Sequence, residues 1–250
     1  MPTLLLLKTG STFPELVSQK GDFEDWILQG MGLTRRDVSI VDVTQQEPFP
    51  AYDTLSGIVI TGSHDMVTDG HAWNERTARW LRRAIEGRIP ILGICYGHQL
   101  LAYACGGEVA DNPHGREFGT VDIQLTTEAK DDLLFGNLSN PFPAHVCHTQ
   151  SVLRLPPEAR LLASSAMDAH QAIVIGECAW GVQFHPEFDV EATQAYIHAC
   201  AQVLRAQGTE PEQLRQQCRA TPQSSALLKR FYDIVRQKNI RRSDNFTLSD

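Results

Sequence analysis

The five residues Gly93-Ile94-Cys95-Tyr96-Gly97 constrain this chain more than any other segment. Ile89 to Ile94 reads as a buried strand, and Gln99 to Cys105 continues as a helix. A cysteine held between two glycines at so sharp a strand-to-helix turn is pushed out over the end of a sheet. That is how a nucleophile is presented. The remaining sequence must then supply a sheet for the turn to stand on and a base for the thiol.

The length, 250 residues, suits one large domain or one domain with an added segment. A formal charge of -8 disfavours a nucleic-acid backbone as partner, which requires concentrated positive charge. The apolar run Leu4 to Leu7 falls far short of the ~20 residues that cross a bilayer, so no membrane partner is expected. Met1-Pro2-Thr3 has no basic charge to open a secretory signal. Cysteines at 95, 105, 147, 178, 200 and 218 contain no CxxC pair and fit buried thiols in a reducing cytoplasm, with one reactive.

Leu4 to Lys8, Val38 to Val43, Gly57 to Thr61 and Ile89 to Ile94 read as strands. Helical stripes are expected over residues 22 to 31 and 72 to 86, the second carrying Trp73, Thr77, Trp80, Leu81, Ala84 and Ile85. This alternation implies an α/β fold with a mostly parallel central sheet covered by helices on both faces. Residues 44 to 54, with Pro48 and Pro50, form a loop or a short helix at most.

After residue 115 the pattern changes to short strands: Thr120 to Leu125, Ala144 to Cys147, Arg160 to Ser164, Ala172 to Ile175 and Gly181 to Phe184. These read as extra β-hairpins at the sheet edge, the last strand returning to the main sheet. A closing helix is expected from about 189 to 207. Gly208 to Pro211 marks a joint, dividing the chain into a domain at 1-207 and a C-terminal extension at 208-250. Leu227, Leu228, Phe231 and Val235 place a helix over about 223 to 238, followed by a polar, frayed tail at 239 to 250.

Cys95 requires a base to ionise at neutral pH. Gly181-Val182-Gln183-Phe184-His185-Pro186-Glu187 delivers His185 to a strand end. Glu187, two residues on, shares its side and can accept a proton from one ring nitrogen. The expected catalytic order is Cys95, His185, Glu187. His145-Val146-Cys147-His148 has the residue types of a metal site but lacks a fourth ligand nearby, so no metal is expected. His148 and the neighbouring Thr149-Gln150-Ser151 are read as pocket lining. Negative charge developing on a carbonyl oxygen needs N–H donors. Tyr96 at the helix start offers one. Gly62, in Thr61-Gly62-Ser63-His64, offers a second without a side chain in the way.

GICYGHQLLA at 93–102 and FHPE at 184–187 resemble the triad type of class I glutamine amidotransferase domain. The nearest likeness is to the amidotransferase portion of GMP synthetases and its free-standing relatives. Gly115-Arg116-Glu117-Phe118-Gly119 and His148-Thr149-Gln150-Ser151 match further family segments, and the resemblance covers about residues 1 to 205. It implies a class I amidotransferase (flavodoxin-like) fold. It further implies that Cys95 attacks the glutamine side-chain amide to give a γ-glutamyl thioester and ammonia, with His185 moving the proton and Glu187 orienting it. The N–H groups of Gly62 and Tyr96 correspond to the oxyanion hole. Gln99, with the backbone of Thr149 and Gln150, corresponds to the segments holding the amino-acid end of glutamine. Glu117 lies in a segment beside this pocket, as a substrate contact or as support.

The sequence departs from the family in two places. Thr61-Gly62-Ser63-His64-Asp65 replaces the usual Gly-Gly-Pro-like loop, and about 45 residues after Gly208 cannot form the ATP-pyrophosphatase domain that consumes ammonia in GMP synthetase. No phosphate loop of the Walker type is present in the sequence, and no cofactor is expected. Three functions follow: glutamine hydrolysis releasing ammonia to a separate synthetase subunit or to solvent; hydrolysis of another γ-glutamyl compound such as a peptide; or a non-catalytic binding or regulatory role.

Overall fold

The computed structural model describes residues 2–247, and side chains through residue 240. Nine strands form one sheet in the order β2-β1-β3-β4-β11-β10-β9-β6-β7. Its first half is β1 (Thr3–Lys8), β2 (Val38–Asp42), β3 (Leu55–Ile60) and β4 (Ile91–Ile94), joined by β11 (Ala179–Val182). All four ladders among these five strands are parallel. The hairpin strands β6 (Glu117–Leu125), β7 (Phe142–His148), β9 (Ala159–Ser164) and β10 (Ala172–Ile175) extend the same sheet antiparallel from β11. The returning strand therefore lies at the sheet centre, beside β4. Two further strands, β5 (Glu108–Asp111) and β8 (Gln150–Arg154), pair apart from the main sheet. They are short and half exposed, and the sequence pattern does not announce them.

The parallel strands are apolar on both sides, so helices must cover both faces. On one face, α3 (Ala72–Glu86) and α4 (Tyr96–Ala104) bury Leu81, Ala84, Leu100 and Leu101 against Leu5, Leu7, Ile58 and Ile60. The other face is covered by α2 (Phe23–Met31) and by the C-terminal helix α8 (Pro222–Thr247). Ile27, Met31, Leu228, Phe231 and Val235 meet Leu4, Leu6 and Val59 there. The extension after Gly208 thus supplies part of the central core. Phe231 is fully buried and its ring packs edge-on to Trp180 at 6.2 Å. Phe231→Ala is expected to lower stability by about 3–5 kcal/mol in denaturant titrations.

Several boundaries differ from the sequence reading. The C-terminal helix runs on to Thr247 because residues 239–247 contain no glycine or proline to stop it; residues 248–250 of the expected tail lie outside the described residues. The helix expected over 189 to 207 breaks at Cys200 into α5 (Val190–Ala199) and α6 (Ala201–Ala206). Two short helices begin with proline, α1 (Pro14–Lys20) and α7 (Pro211–Gln217). Neither is long enough to show a periodic stripe.

Candidate active site

Cys95 stands between β4 and α4 with φ 51° and ψ -101°, a conformation that costs an L-residue energy. The flanking glycines make it attainable. A Cβ on Gly93 would lie 2.4 Å from the Gly97 carbonyl oxygen, and one on Gly97 would lie 2.7 Å from the Ile60 oxygen. Only bare backbone allows strand and helix to approach so closely. The Cys95 N–H is anchored on the Val182 carbonyl at 2.8 Å. The nucleophile is thereby fixed to β11, the strand that leads to the histidine.

His185 lies three residues beyond the end of β11. Its Nδ1 hydrogen-bonds Glu187 Oε1 at 2.7 Å, and its ring stacks on Phe188 with centroids 4.0 Å apart. These two contacts fix the ring close to Cys95. Burial pulls the His185 pKa down, but the Glu187 carboxylate and Cys95 outweigh it and raise the value to about 10. The imidazolium form is therefore favoured at neutral pH.

The loop after β3 passes beside both groups. A Cβ on Gly62 would lie 3.3 Å from His185 Cε1 and 3.9 Å from Cys95 Cβ. The Thr9 hydroxyl lies 2.9 Å from the Thr61 carbonyl oxygen and 3.0 Å from that of Gly62. In planar trans peptides this turns the N–H groups of Gly62 and Ser63 away from Thr9. Tyr96 opens α4, where backbone N–H groups have no partner within the helix. Its phenol is tied down on Asn74 Oδ1 at 2.8 Å.

In front of Cys95 is a cavity of about 200 Å³ lined by Gln99, His148, Thr149 and Gln150, four of the five residues expected to bind substrate. The fifth, Glu117, faces away. It is 2% exposed and its carboxylate accepts from Ser165 Oγ at 2.7 Å and Gln171 Nε2 at 2.6 Å, and meets His148 Nε2 at 3.0 Å. Strand alternation explains this: Arg116 and Phe118, on either side of Glu117, are the ones that line the cavity. Arg116 was therefore legible as a neighbour of opposite facing and was missed. No carboxylate pairs with it among the described residues, and its buried Nε has no hydrogen bond.

Sequence reading also missed an aromatic wall. Phe13, His64 and Tyr196 line the cavity, with Phe13 centred 4.6 Å from His64 and 4.8 Å from Tyr196. His64 Nε2 lies 3.0 Å from the Tyr196 hydroxyl, which contacts Thr12 Oγ1 at 2.8 Å. These residues come from three distant segments, so no spacing could have grouped them. A larger groove of about 680 Å³, beside Glu75, Arg82 and Tyr103, is lined by neither Cys95 nor His185. The size of the Cys95 cavity, below the ~300–1,000 Å³ of ordinary small-molecule sites, suits a substrate no bigger than an amino acid.

The aligned cysteine, histidine and glutamate can perform acyl transfer on a small amide. The glutamine-hydrolyzing GMP synthase of Bacteroides fragilis is 35% identical over 172 residues, covering 66% of this chain and 32% of that protein. That of Malacoplasma penetrans is 27% identical over 225 residues, 86% of this chain and 39% of the relative. The chain spans about a third of the length of these curated relatives. Among solved structures, a glutamine amidotransferase from Thermotoga maritima superposes with a TM-score of 0.74 at 20% identity, over 94% of this chain and 98% of that one. A glutamine amidotransferase from Methylobacillus flagellatus gives 0.66 at 20% identity, over 93% and 94%. Both share the fold. The family model for glutamine amidotransferase class-I matches residues 16–203, and the chain belongs to that family.

Proposed function

We propose that this protein hydrolyses the side-chain amide of glutamine through a thioester on Cys95. The observation that carries this reading is Cys95 on the wall of an amino-acid-sized cavity, with the His185 ring close by beside Gly62 and Glu187 Oε1 2.7 Å from that ring. With His185 protonated and Glu187 behind it, Cys95 serves as the thiolate, the nucleophilic form. The sulfur bonds to the amide carbon, and the oxygen takes up the negative charge facing the N–H groups of Gly62 and Tyr96. As the C–N bond breaks, the His185 Nε2 proton passes to the nitrogen and ammonia leaves. Water then attacks the thioester and gives a proton to neutral His185. The C–S bond breaks, glutamate departs and the thiolate–imidazolium pair is restored.

Gln99 and the 149–150 backbone hold the amino-acid end. The unpaired Arg116 guanidinium supplies a charge-assisted contact for the α-carboxylate. The ammonia released goes to a synthetase partner or to solvent. A second reading, cleavage of a γ-glutamyl peptide or amide, is favoured by the wall of Phe13, His64 and Tyr196, which offers a larger leaving group an aromatic surface.

Release of ammonia and glutamate from glutamine, measured beside a panel of γ-glutamyl peptides, separates the two. Strong glutamine turnover with weak peptide cleavage is expected; the reverse would move the assignment to γ-glutamyl hydrolysis. In the same assay Arg116→Met should raise KM for glutamine about tenfold or more and leave kcat nearly unchanged.

A further inference from the structure

Cys95 and Gln183 follow the last residues of neighbouring parallel strands. Ile94 of β4 is in register with Val182 of β11. Their side chains meet beyond the C-terminal ends of these two central strands, where Gln183 Nε2 lies 3.5 Å from Cys95 Sγ. Gln183 is fully buried. We infer that Gln183 is a catalytic residue, whose side-chain amide donates a hydrogen bond to the Cys95 sulfur and stabilises its thiolate. This rests on the reading of Cys95 as nucleophile.

The direction of the amide is fixed by its neighbours. Gln99 Nε2 lies 2.8 Å from the Gln150 carbonyl oxygen, and a carbonyl can only accept. Gln99 therefore presents its NH₂ group on that side, and its second N–H goes to Gln183 Oε1 at 3.0 Å. Gln183 must offer oxygen to Gln99, which leaves its NH₂ facing the sulfur. The other neighbour of the Gln150 carbonyl is His148 Nδ1 at 3.0 Å. That nitrogen must be the donor, and on the opposite side of the ring a proton lies between Nε2 and Glu117 Oε2.

An ordered chain thus runs from Glu117 through His148, the Gln150 carbonyl, Gln99 and Gln183 to the nucleophile. Each link in it joins a donor to an acceptor. Gln99, His148 and Glu117 act in it as positioning residues, and Glu117 has this role although it faces away from the cavity. A glutamine suits the last position because it is neutral. A carboxylate of the same shape would offer the sulfur no N–H and would repel the thiolate.

The test is the pH dependence of Cys95 alkylation by iodoacetamide, read peptide by peptide by mass spectrometry so that the other five cysteines do not contribute. Alkylation follows the thiolate fraction and needs no substrate. Gln183→Met should raise the apparent pKa of Cys95 by about one unit, a tenfold loss of thiolate on the acid side, and Gln183→Glu should raise it further. Gln99→Met, which keeps Gln183 but frees its amide to turn, should move the profile in the same direction by less. That variant carries the test if changes at Gln183 disturb folding. Profiles in the folded Gln183→Glu and Gln99→Met proteins that overlay the wild type would overturn the inference. Retained glutamine turnover in Cys95→Ala would instead overturn the reading beneath it.

Discussion

Cys95→Ala is expected to lower glutamine turnover by about 10⁴-fold or more while leaving the fold intact. The size of the effect follows from the chemistry, since without sulfur there is no thioester and water must attack an unactivated amide. The fold should survive because the positive φ at position 95 is imposed by the Gly93–Gly97 approach and by the Cys95 N–H bond to Val182, neither of which uses the thiol. Circular dichroism and a thermal melt would check this alongside the assay. A variant with wild-type turnover would contradict the mechanism at its first step.

Glu187→Gln should reduce turnover by ~10²–10⁴-fold, less than loss of the nucleophile. The amide oxygen can still accept from Nδ1, but the negative charge that holds His185 protonated is lost. The change also has a pH signature. The His185 pKa rises from an ordinary 6.5 to about 10 in the folded protein. A histidine raised in this way adds stability that is fully present below its unfolded value and is lost as pH climbs through its folded one. The stability gap between wild type and Glu187→Gln is therefore expected to shrink between about pH 6.5 and about pH 10, followed by thermal melts. A gap that widened over that interval would mean that His185 is held neutral.

Much of this architecture is legible in the chain before folding. Periodicity placed the helix at 72–86 and the strand at 172–175 at their observed bounds, because both have uninterrupted patterns. The glycine-flanked cysteine marked the turn, for its glycines are needed where backbone meets backbone. The histidine–glutamate pair was picked out by its two-residue spacing, although the chain turns at Pro186-Glu187 instead of running extended there. Two kinds of information were not. A resemblance names a segment and not the facing of its residues: Glu117 was selected with its segment, and the alternation along it puts Arg116 and Phe118 in the cavity instead. Clusters such as Phe13–His64–Tyr196 and the Glu117-to-Gln183 chain are assembled from separate strands, helices and loops that meet only in three dimensions. Gln183 stood inside a motif noted for its histidine, and only its distance to the sulfur gives it a role.

In the proposed mechanism Cys95 carries the glutamyl group during turnover. Acid quench of the purified protein mid-turnover with glutamine, followed by peptide mass mapping, tests it most directly. A glutamyl adduct on the Cys95 peptide, absent without glutamine and absent in Cys95→Ala, is the predicted result. Steady ammonia release with no adduct on Cys95 and with undiminished turnover in Cys95→Ala would contradict it.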